Sequence, residues 1–527
     1  MKNSKKPIDV VLIYPKTGVD FGSAVAPPFS VISVAAPLRN RGLNVKIIDQ
    51  RVDQNWAAYL REALKDKPIC CGISTMTGRQ ISFGIEAAKV IREETGGSVP
   101  IVWGGVHPTL VPEQTARSQY VDLVCLREGE ETFADLVATL QNGNSLSGIK
   151  GIAYLDDGKY IFTEERPFIN IEELLPIPWD LINVESYINS DMYLRQSSRV
   201  LDIGQTSRGC PYSCAYCYNP VVHHSKWRAM SAEKVVDMIV ENVKRFSLDG
   251  IWLRDDEFFL DLMRVSEICE GIIANNLNIS WYTSGVSITD ILRATKEQLK
   301  LIKRSGAHVM RIGAESGSNR ILRFMNKRQN VGQILEINRI CKEFGFKPVY
   351  SLMFGFPTET FDEIDETIDL FFKLKKDNPD ASLAPLSQFT AFPGTPLYDM
   401  AIGMGLKPPQ RFEDWAEWLS TEIDFNGERM PWLKKKERRW IGNVTYLGNL
   451  SFAGADIVSS VSKNSPLEKL FTLIVKTFSK YFAWRLRIKS YRFVPEIKLI
   501  IKASQFYLFL LNRNGSKKLT RENEDKG

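Results

Sequence analysis

Strand-like runs and helical patterns alternate through the first 145 residues, and that alternation restricts the fold more than any other feature. Residues 9–14 (DVVLIY) form an apolar, β-branched run stopped by Pro15, and residues 29–41 then carry apolar side chains at helical spacing up to Gly42. The alternation recurs as 45–49 then 56–64, 69–74 then 81–91, 101–103, and 121–126 then 132–140. Five buried strands separated by helices predict an α/β domain over residues 1–145 built on a doubly wound parallel sheet. Such a sheet takes its ligand beyond the carboxyl ends of its strands. Here those ends carry Tyr14, then Ser74, Thr75 and Met76, then Gly104, Gly105 and His107, and finally Glu128. No GxGxxG follows the first strand, which disfavours a dinucleotide and leaves another large ligand or a docked protein as alternatives.

With 44% hydrophobic and 25% charged residues the chain is compatible with a folded globular protein and excludes collagen-like or broadly disordered classes. Its eight Cys are irregularly spaced, no run of 18 apolar residues occurs, and no secretory leader is read at the start. These features predict reduced thiols, a cytoplasmic protein and no membrane span. Cys70, Cys71, Cys125, Cys269 and Cys341 fall on buried strand or helix patterns and are expected to act as small apolar residues.

The other three cysteines cluster. Ser207-Arg208-Gly209-Cys210-Pro211-Tyr212-Ser213-Cys214-Ala215-Tyr216-Cys217 has a CxxxCxxC spacing with no fourth Cys nearby. Structural zinc takes four closed ligands, so it would need a distant histidine, of which His223 and His224 are nearest. An iron–sulfur cluster is normally held by four thiolates, so three leave one iron open to an outside ligand, where chemistry can occur.

CxxxCxxC with an aromatic before its last Cys resembles the signature of the radical S-adenosylmethionine enzymes. The resemblance implies that Cys210, Cys214 and Cys217 hold a [4Fe–4S] cluster whose open iron is chelated by S-adenosylmethionine. Reduction would cleave that cofactor to a 5′-deoxyadenosyl radical, and Tyr216 would lie against the adenine. Downstream, strand-like runs recur near 250–253, 279–283, 308–312, 348–353 and 383–392, separated by helical segments. With the strand that ends at Thr206 they make six βα units, as expected for a partial (βα)6 barrel over residues 196–410 after a linker at 146–195. Beyond its second strand, Arg254-Asp255-Asp256-Glu257-Phe258 offers carboxylates that could cap a helix or accept hydrogen bonds from an ammonium. The family implies the second for Asp255 and Asp256, toward the methionyl amino group. Gly313-Ala314-Glu315-Ser316-Gly317 looks like the family's GxES element, which assigns Glu315 to the ribose hydroxyls. Phe354-Gly355-Phe356-Pro357-Thr358-Glu359-Thr360 and Pro393-Gly394-Thr395-Pro396 resemble its GxPxET and PGTP turns, read here as backbone punctuation.

A doubly wound, flavodoxin-like domain ahead of such a barrel resembles the class B, cobalamin-binding branch, with local matches at Pro27-Pro28-Phe29-Ser30, Gly104-Gly105-Val106-His107-Pro108-Thr109 and Glu128-Gly129-Glu130. That implies cobalamin against Tyr14, Ser74, Thr75, Met76, Gly104, Gly105, His107 and Glu128. The DxHxxG motif that supplies a lower axial His in some cobalamin proteins is absent, so His107 is expected at the corrin or its side chains, or merely in a turn.

Residues 411–527 are expected to be helical with a basic amphipathic tail. Between Lys463 and Lys518 stand 13 Lys/Arg and 2 Asp/Glu, a local +11 within a chain of net +6. Leu467, Leu470, Phe471, Ile474, Val475, Phe478 and Phe482 follow helical spacing, with Lys469, Lys476 and Lys480 off the stripe, and a second apolar stretch spans 506–511. Such a tail can lie on the inner, anionic face of a membrane or pack on the barrel as a lid. Nucleic acid is not expected, because no second basic domain accompanies it.

The expected activity is C-methylation of an unactivated carbon in a small, lipid-like or membrane-associated substrate, supported by a one-electron reductant of flavodoxin or ferredoxin type. An oxidative cyclase or rearrangement enzyme of the same branch, and a non-enzymatic iron–sulfur redox or sensor protein, are the alternatives.

Overall fold

The computed structural model describes residues 6–18, 26–189, 194, 196–418, 423–460 and 466–496, and of 452–460, 466–472, 474 and 475 the backbone alone. Five parallel strands open the chain: β1 (Val10–Tyr14), β2 (Val45–Asp49), β3 (Cys70–Ser74), β4 (Ile101–Gly104) and β5 (Leu123–Cys125). Their order β2-β1-β3-β4-β5 is the expected doubly wound arrangement. Helices Phe29–Asn40 and Gly129–Asn142 cover one face, where Val31, Ile32, Phe133 and Leu136 pack on Leu12, Ile47 and Cys70. The five cysteines expected to be apolar filler are buried and free.

The sheet does not end at residue 145. Inside the segment expected as linker, β6 (Ile152–Asp156) pairs antiparallel with β5, and β7 (Lys159–Phe162) with β6. Asp157 and Gly158 both have positive φ in a two-residue turn, the geometry that Asp-Gly favours between antiparallel strands.

The second sheet is β8 (Val200–Asp202), β11 (Gly250–Leu253), β12 (Ser280–Val286), β13 (Ala307–Glu315), β14 (Lys347–Phe354) and β15 (Ser382–Leu383), parallel in that spatial order. It matches the six expected units, except that the last strand is two short pieces, β15 and β16 (Ser387–Gln388), both paired to β14. Between β8 and β11 a short antiparallel pair, β9 (Ser207–Arg208) and β10 (Arg228–Ala229), frames the cysteine loop. The outer helices start on capping boxes at Thr295/Gln298, Asn330/Gln333 and Thr360/Glu363, each satisfying two amide donors that the first turn leaves without partners.

The chain divides into two compact units, residues 1–422 and 423–527, so both sheets belong to one unit. In the second unit, helices Lys435–Ser460 and Pro466–Arg487 form, and the Asn443 Nδ2 donates to the Tyr491 carbonyl at 2.9 Å. Among the described residues no helix is long and apolar enough to cross a membrane. Within the tail stripe Phe482 is buried and Phe478 exposed, so those two do not share one buried face. The apolar stretch 506–511 lies outside the described residues.

Gly72 sits mid-strand in β3, where an added Cβ would stand 2.7 Å from Leu12 Cδ2 and 3.1 Å from Phe133 Cζ. Gly72→Val is expected to destabilise the first unit by roughly 1–3 kcal/mol through overpacking. Gly148→Ala, which meets nothing within 4 Å, serves as the silent control, both being read by urea unfolding followed by circular dichroism.

Candidate functional site

Cys210, Cys214 and Cys217 are free, partly exposed and on one loop between β9 and the short helix Asn219–His223. The chain enters this loop through Gly209, whose φ of +81° and contact with the Lys226 carbonyl leave no room for a Cβ. Barrel loops hold the segment at several points. The Ala215 amide donates to the Met325 carbonyl at 2.9 Å, Asn326 Nδ2 to the Ser213 carbonyl at 2.8 Å, and the Gly209 amide to Asp256 Oδ2 at 3.1 Å. Tyr212 donates its hydroxyl to Asp290. The loop is thus fixed by partners from several strand ends, as a thiolate ligand set requires.

The thiols fit an iron–sulfur cluster. Burial pushes Cys210 and Cys217 up to about 12, and Cys214 upward as well, so the free thiols are neutral and would give up their protons only as a cluster binds. The Asn219 amide already donates to the Cys217 sulfur at 3.4 Å. Zinc is a poorer fit. His223 and His224 face Arg228 and Arg127, and among the described residues no group of three or more His, Cys, Asp or Glu could hold a single metal ion.

On the open side of the loop a carboxylate, a phenol and an ammonium meet. Tyr216 donates to Glu315 Oε1 at 3.1 Å, and Lys327 Nζ donates to the same oxygen at 3.2 Å. Glu315 closes β13 with φ +63°, a strained conformation for a non-glycine residue and one that aims its carboxylate sideways. Gly313 leaves room for this pair, since a Cβ there would displace the Glu315 carboxylate and Lys327 Nζ. Burial alone would lower the Lys327 ammonium, but Tyr216 and Glu315 outweigh it and raise it well above the usual range. Sequence reasoning missed Lys327, whose only signal was its place in the loop that follows the GxES helix. It also passed over Glu257, which burial and then the Asp290 charge push up to about 8 beside Cys210.

Of the paired aspartates, Asp256 reaches the loop, as noted. Asp255 is buried, accepting from the Thr206 amide and hydroxyl at 3.1 and 2.9 Å and from the Ser207 hydroxyl at 2.5 Å. These bonds all fall on Oδ1 and position the strand that leads into the cysteines, while the buried Oδ2 has no hydrogen-bond partner.

Glu128 departs from expectation. Its carboxylate meets Arg208 at 3.3 Å and Arg228 at 2.8 Å and accepts from the Ile169 amide at 2.9 Å, while Glu130 meets Arg208 at 2.6 Å. Burial alone would raise Glu128, but the Arg228 hydrogen bond and the two arginine charges hold it below the ordinary range. Register explains the convergence, because Arg208 and Arg228 are directly opposed across β9 and β10. This buried network ties the residues just before Cys210 to the helix that follows β5.

The remaining expected corrin contacts lie along the strand ends of the first sheet. Ser74 is in register with Gly104, the Thr75 amide donates to the Gly104 carbonyl at 2.9 Å, and Gly105 (φ +99°) packs against Thr75. Met76 is exposed, and the buried Thr75 hydroxyl has no hydrogen-bond partner, an orphan that suits an added ligand. Tyr14 lies under the Arg51 guanidinium, 4.2 Å from ring centroid to carbon. His107 is wholly buried, its Nδ1 3.0 Å from Thr77 Oγ1 and its ring against Phe412 and Trp415, with Nε2 left without a hydrogen-bond partner.

Burial lowers the His107 imidazole to about 3, against 6.5 for the ordinary group. The unfolded chain therefore takes up this proton first, so the neutral histidine's contribution is complete above pH 6.5 and is lost as pH falls toward 3. Urea midpoints at pH 7.5 and pH 5 are expected to drop more for the wild-type chain than for His107→Gln, and equal drops would contradict it.

Residues 205–371 match the radical SAM superfamily, and residues 23–137 match the B12 binding domain. An uncharacterized methyltransferase of Pyrococcus horikoshii, PH0819, is 30% identical over 407 residues, spanning 76% of this chain and 84% of that one. An anaerobic magnesium-protoporphyrin IX monomethyl ester cyclase of Rubrivivax gelatinosus is 27% identical over 80% of this chain and 75% of its own. The fold is that of the cobalamin-dependent S-adenosylmethionine radical enzyme OxsB, with a TM-score of 0.71 at 20% identity over 96% of this chain and 76% of that one. With a corrinoid-type sheet, a six-stranded barrel and three loop thiols in one compact unit, the chain belongs to the cobalamin-dependent branch of the radical S-adenosylmethionine enzymes.

Proposed function

We propose that this enzyme is a C-methyltransferase that places a methyl group on an unactivated carbon of a lipid-like substrate. The observation that carries the reading is the buried Glu128/Glu130–Arg208/Arg228 network, which joins the strand ends of the first sheet to the entry of the cysteine loop. It supports a corrin site next to a radical site, the arrangement that direct methyl transfer needs. The cluster with S-adenosylmethionine supplies hydrogen abstraction when bound, and cobalamin supplies the methyl group.

The chain's own residues bind and orient. Cys210, Cys214 and Cys217 would take the cluster. Glu315, Lys327 and Tyr216 would set the nucleoside, Asp256 would face the methionyl ammonium, and Ser74, Thr75, Met76, Gly104 and Gly105 would cradle the corrin. No proton-transfer residue is invoked, since methylation at a carbon radical needs no base. A one-electron donor of flavodoxin or ferredoxin type completes the system.

Chain purified anaerobically from cobalamin-fed cells is expected to hold about four irons and about one corrinoid. Cys214→Ala should lose the iron and keep the corrinoid. Incubated with methyl-labelled S-adenosylmethionine and a lipid extract of the producing cells, the wild-type chain should place label in the organic phase. Iron without corrinoid would remove the methyltransferase reading. Turnover without label in product would favour a cyclisation, the chemistry named for the Rubrivivax relative.

The lipid-like substrate is supported by the second unit, where Leu473, Phe478, Tyr481 and Trp484 are exposed on one helix beside the exposed Lys476 and Lys480, with Phe493 exposed just after it. Interfacial aromatics next to cations suit an anionic bilayer surface. The full chain is expected to sediment with phosphatidylglycerol vesicles, and Trp484→Ala with Phe493→Ala to release it about tenfold more easily. Equal recovery with neutral vesicles would dismiss the anionic preference, and equal recovery without vesicles would dismiss membrane contact.

A further inference from the structure

The cysteine loop has an outer edge apart from its nucleoside side. Tyr212 and Cys214 are half-buried there, and Ser213 between them is exposed. The edge is clasped by the loop that follows the short helix Asn319–Phe324, through the Ala215 amide on the Met325 carbonyl and Asn326 Nδ2 on the Ser213 carbonyl. Gln329 pins that clasping loop to β13, donating Nε2 to the Gly313 and Ala314 carbonyls at 2.9 and 3.1 Å. With Gln329 turned inward and Lys327 on Glu315, Arg328 between them is left exposed. Its guanidinium carbon lies 5.8 Å from the Tyr212 ring centroid. Burial pushes the Cys214 thiol up, and the Lys327 and Arg328 charges act against that push, which places both cations near the sulfur.

Arg328 does not stand alone. Arg323, in the last turn of the short helix, is also exposed, and neither arginine is in an ion pair among the described residues. Of the acids nearby, Asp290 is shared between the Tyr212 hydroxyl and Arg293, and Asp399 is exposed but outnumbered. Asp399 belongs to helix Pro396–Gly403, whose Leu397 amide donates to the Ala215 carbonyl at 3.1 Å. The same helix leaves Met400 and Ile402 exposed, with Met404 exposed just after it. Two elements bonded to Ala215 thus present free guanidinium groups and adaptable apolar side chains, the residue types that protein interfaces favour. An electron carrier must reach the cluster ligands from outside, and unpaired cations beside one of them call for a carrier with a negative surface.

We infer that the face formed by Arg323, Arg328 and Met400 around Ser213 is the docking surface for an acidic one-electron donor protein. The inference rests on the radical-enzyme reading and adds to it the place where the electron enters. One electron leaves the donor, which is oxidised by one, and enters the cluster on the three thiols, which is reduced by one; no bond forms or breaks and no proton moves. The arginines hold the donor against the cysteine loop and touch no substrate.

The test mixes the full chain, with cluster and corrinoid reconstituted, with a reduced flavodoxin of strongly negative net charge. Rapid freeze-quench follows the electron paramagnetic resonance signal of the reduced cluster. Its rate of appearance is expected to fall as salt rises, and Arg323→Glu with Arg328→Glu to slow it about tenfold at low salt with iron content unchanged. Arg323→Lys with Arg328→Lys keeps the charge and should stay within about twofold of wild type, which guards against a folding defect in the reversed pair. Reduced methyl viologen, a small cation, should reduce the reversed pair no more slowly than wild type. Lys244→Glu with Lys300→Glu, on outer helices, changes the net charge by the same amount and should slow flavodoxin far less. Equal slowing by the two reversed pairs would overturn the docking face in favour of overall charge alone. Slowing of methyl viologen would overturn it too, by assigning the arginines to the cluster itself. Calorimetry with oxidised flavodoxin reads binding without electron transfer, and affinity should fall by a similar factor in the arginine reversal; an unchanged affinity would count against the face. Missing iron in the wild-type chain would fail the broader reading, while this binding would still decide the face.

Discussion

The interaction on which the site depends is the buried ion network of Glu128 and Glu130 with Arg208 and Arg228. Arg208 stands two residues before Cys210, and the two glutamates open the helix that leaves the last parallel strand of the first sheet. Four charges withdrawn from water are tolerated only when each finds its partners, and breaking one pair would leave others uncompensated. The network therefore couples the position of the cysteine loop to the integrity of the first sheet. It also accounts for both sheets lying in one compact unit.

Around that anchor the cysteine loop and the strand before it are held by hydrogen bonds from several barrel loops. Asp255 holds the strand ahead of it, Asp256 its first turn, and Met325 and Asn326 its middle. The nucleoside side is built by strain and space, with Glu315 in a left-handed conformation and Gly313 leaving room for Lys327. Rigid loops and one strained carboxylate are what a site must have when its cofactors perform the difficult chemistry and the protein supplies placement.

Much of the architecture was legible because it is local. Apolar β-branched runs, helix caps and their alternation decide that strands and helices form, and CxxxCxxC fixes three thiols on one loop whatever surrounds them. The hairpin β6–β7 was legible too, since Asp157-Gly158 between strand-like residues marks a tight turn, but the segment was read as linker. Lys327 carried no such mark. Its role comes from folding a loop beyond β13 back onto Tyr216, and no pattern within a few residues encodes that.

The sequence by itself determined the parallel strands of the two sheets, the order of their elements, the three-cysteine loop and the carboxylate-bearing turns at the strand ends. Tertiary structure alone decided which of those carboxylates stay available. Glu128 looks like a ligand contact in the chain, yet in the fold it is buried among arginine partners, whereas Asp255 keeps its buried Oδ2 without a partner and Asp256 and Glu315 remain at the loop. The reason is physical. A charged or polar side chain takes the strongest partner that burial brings to it, and those partners lie 49, 80 and 100 residues away for Asp255–Thr206, Glu128–Arg208 and Glu128–Arg228.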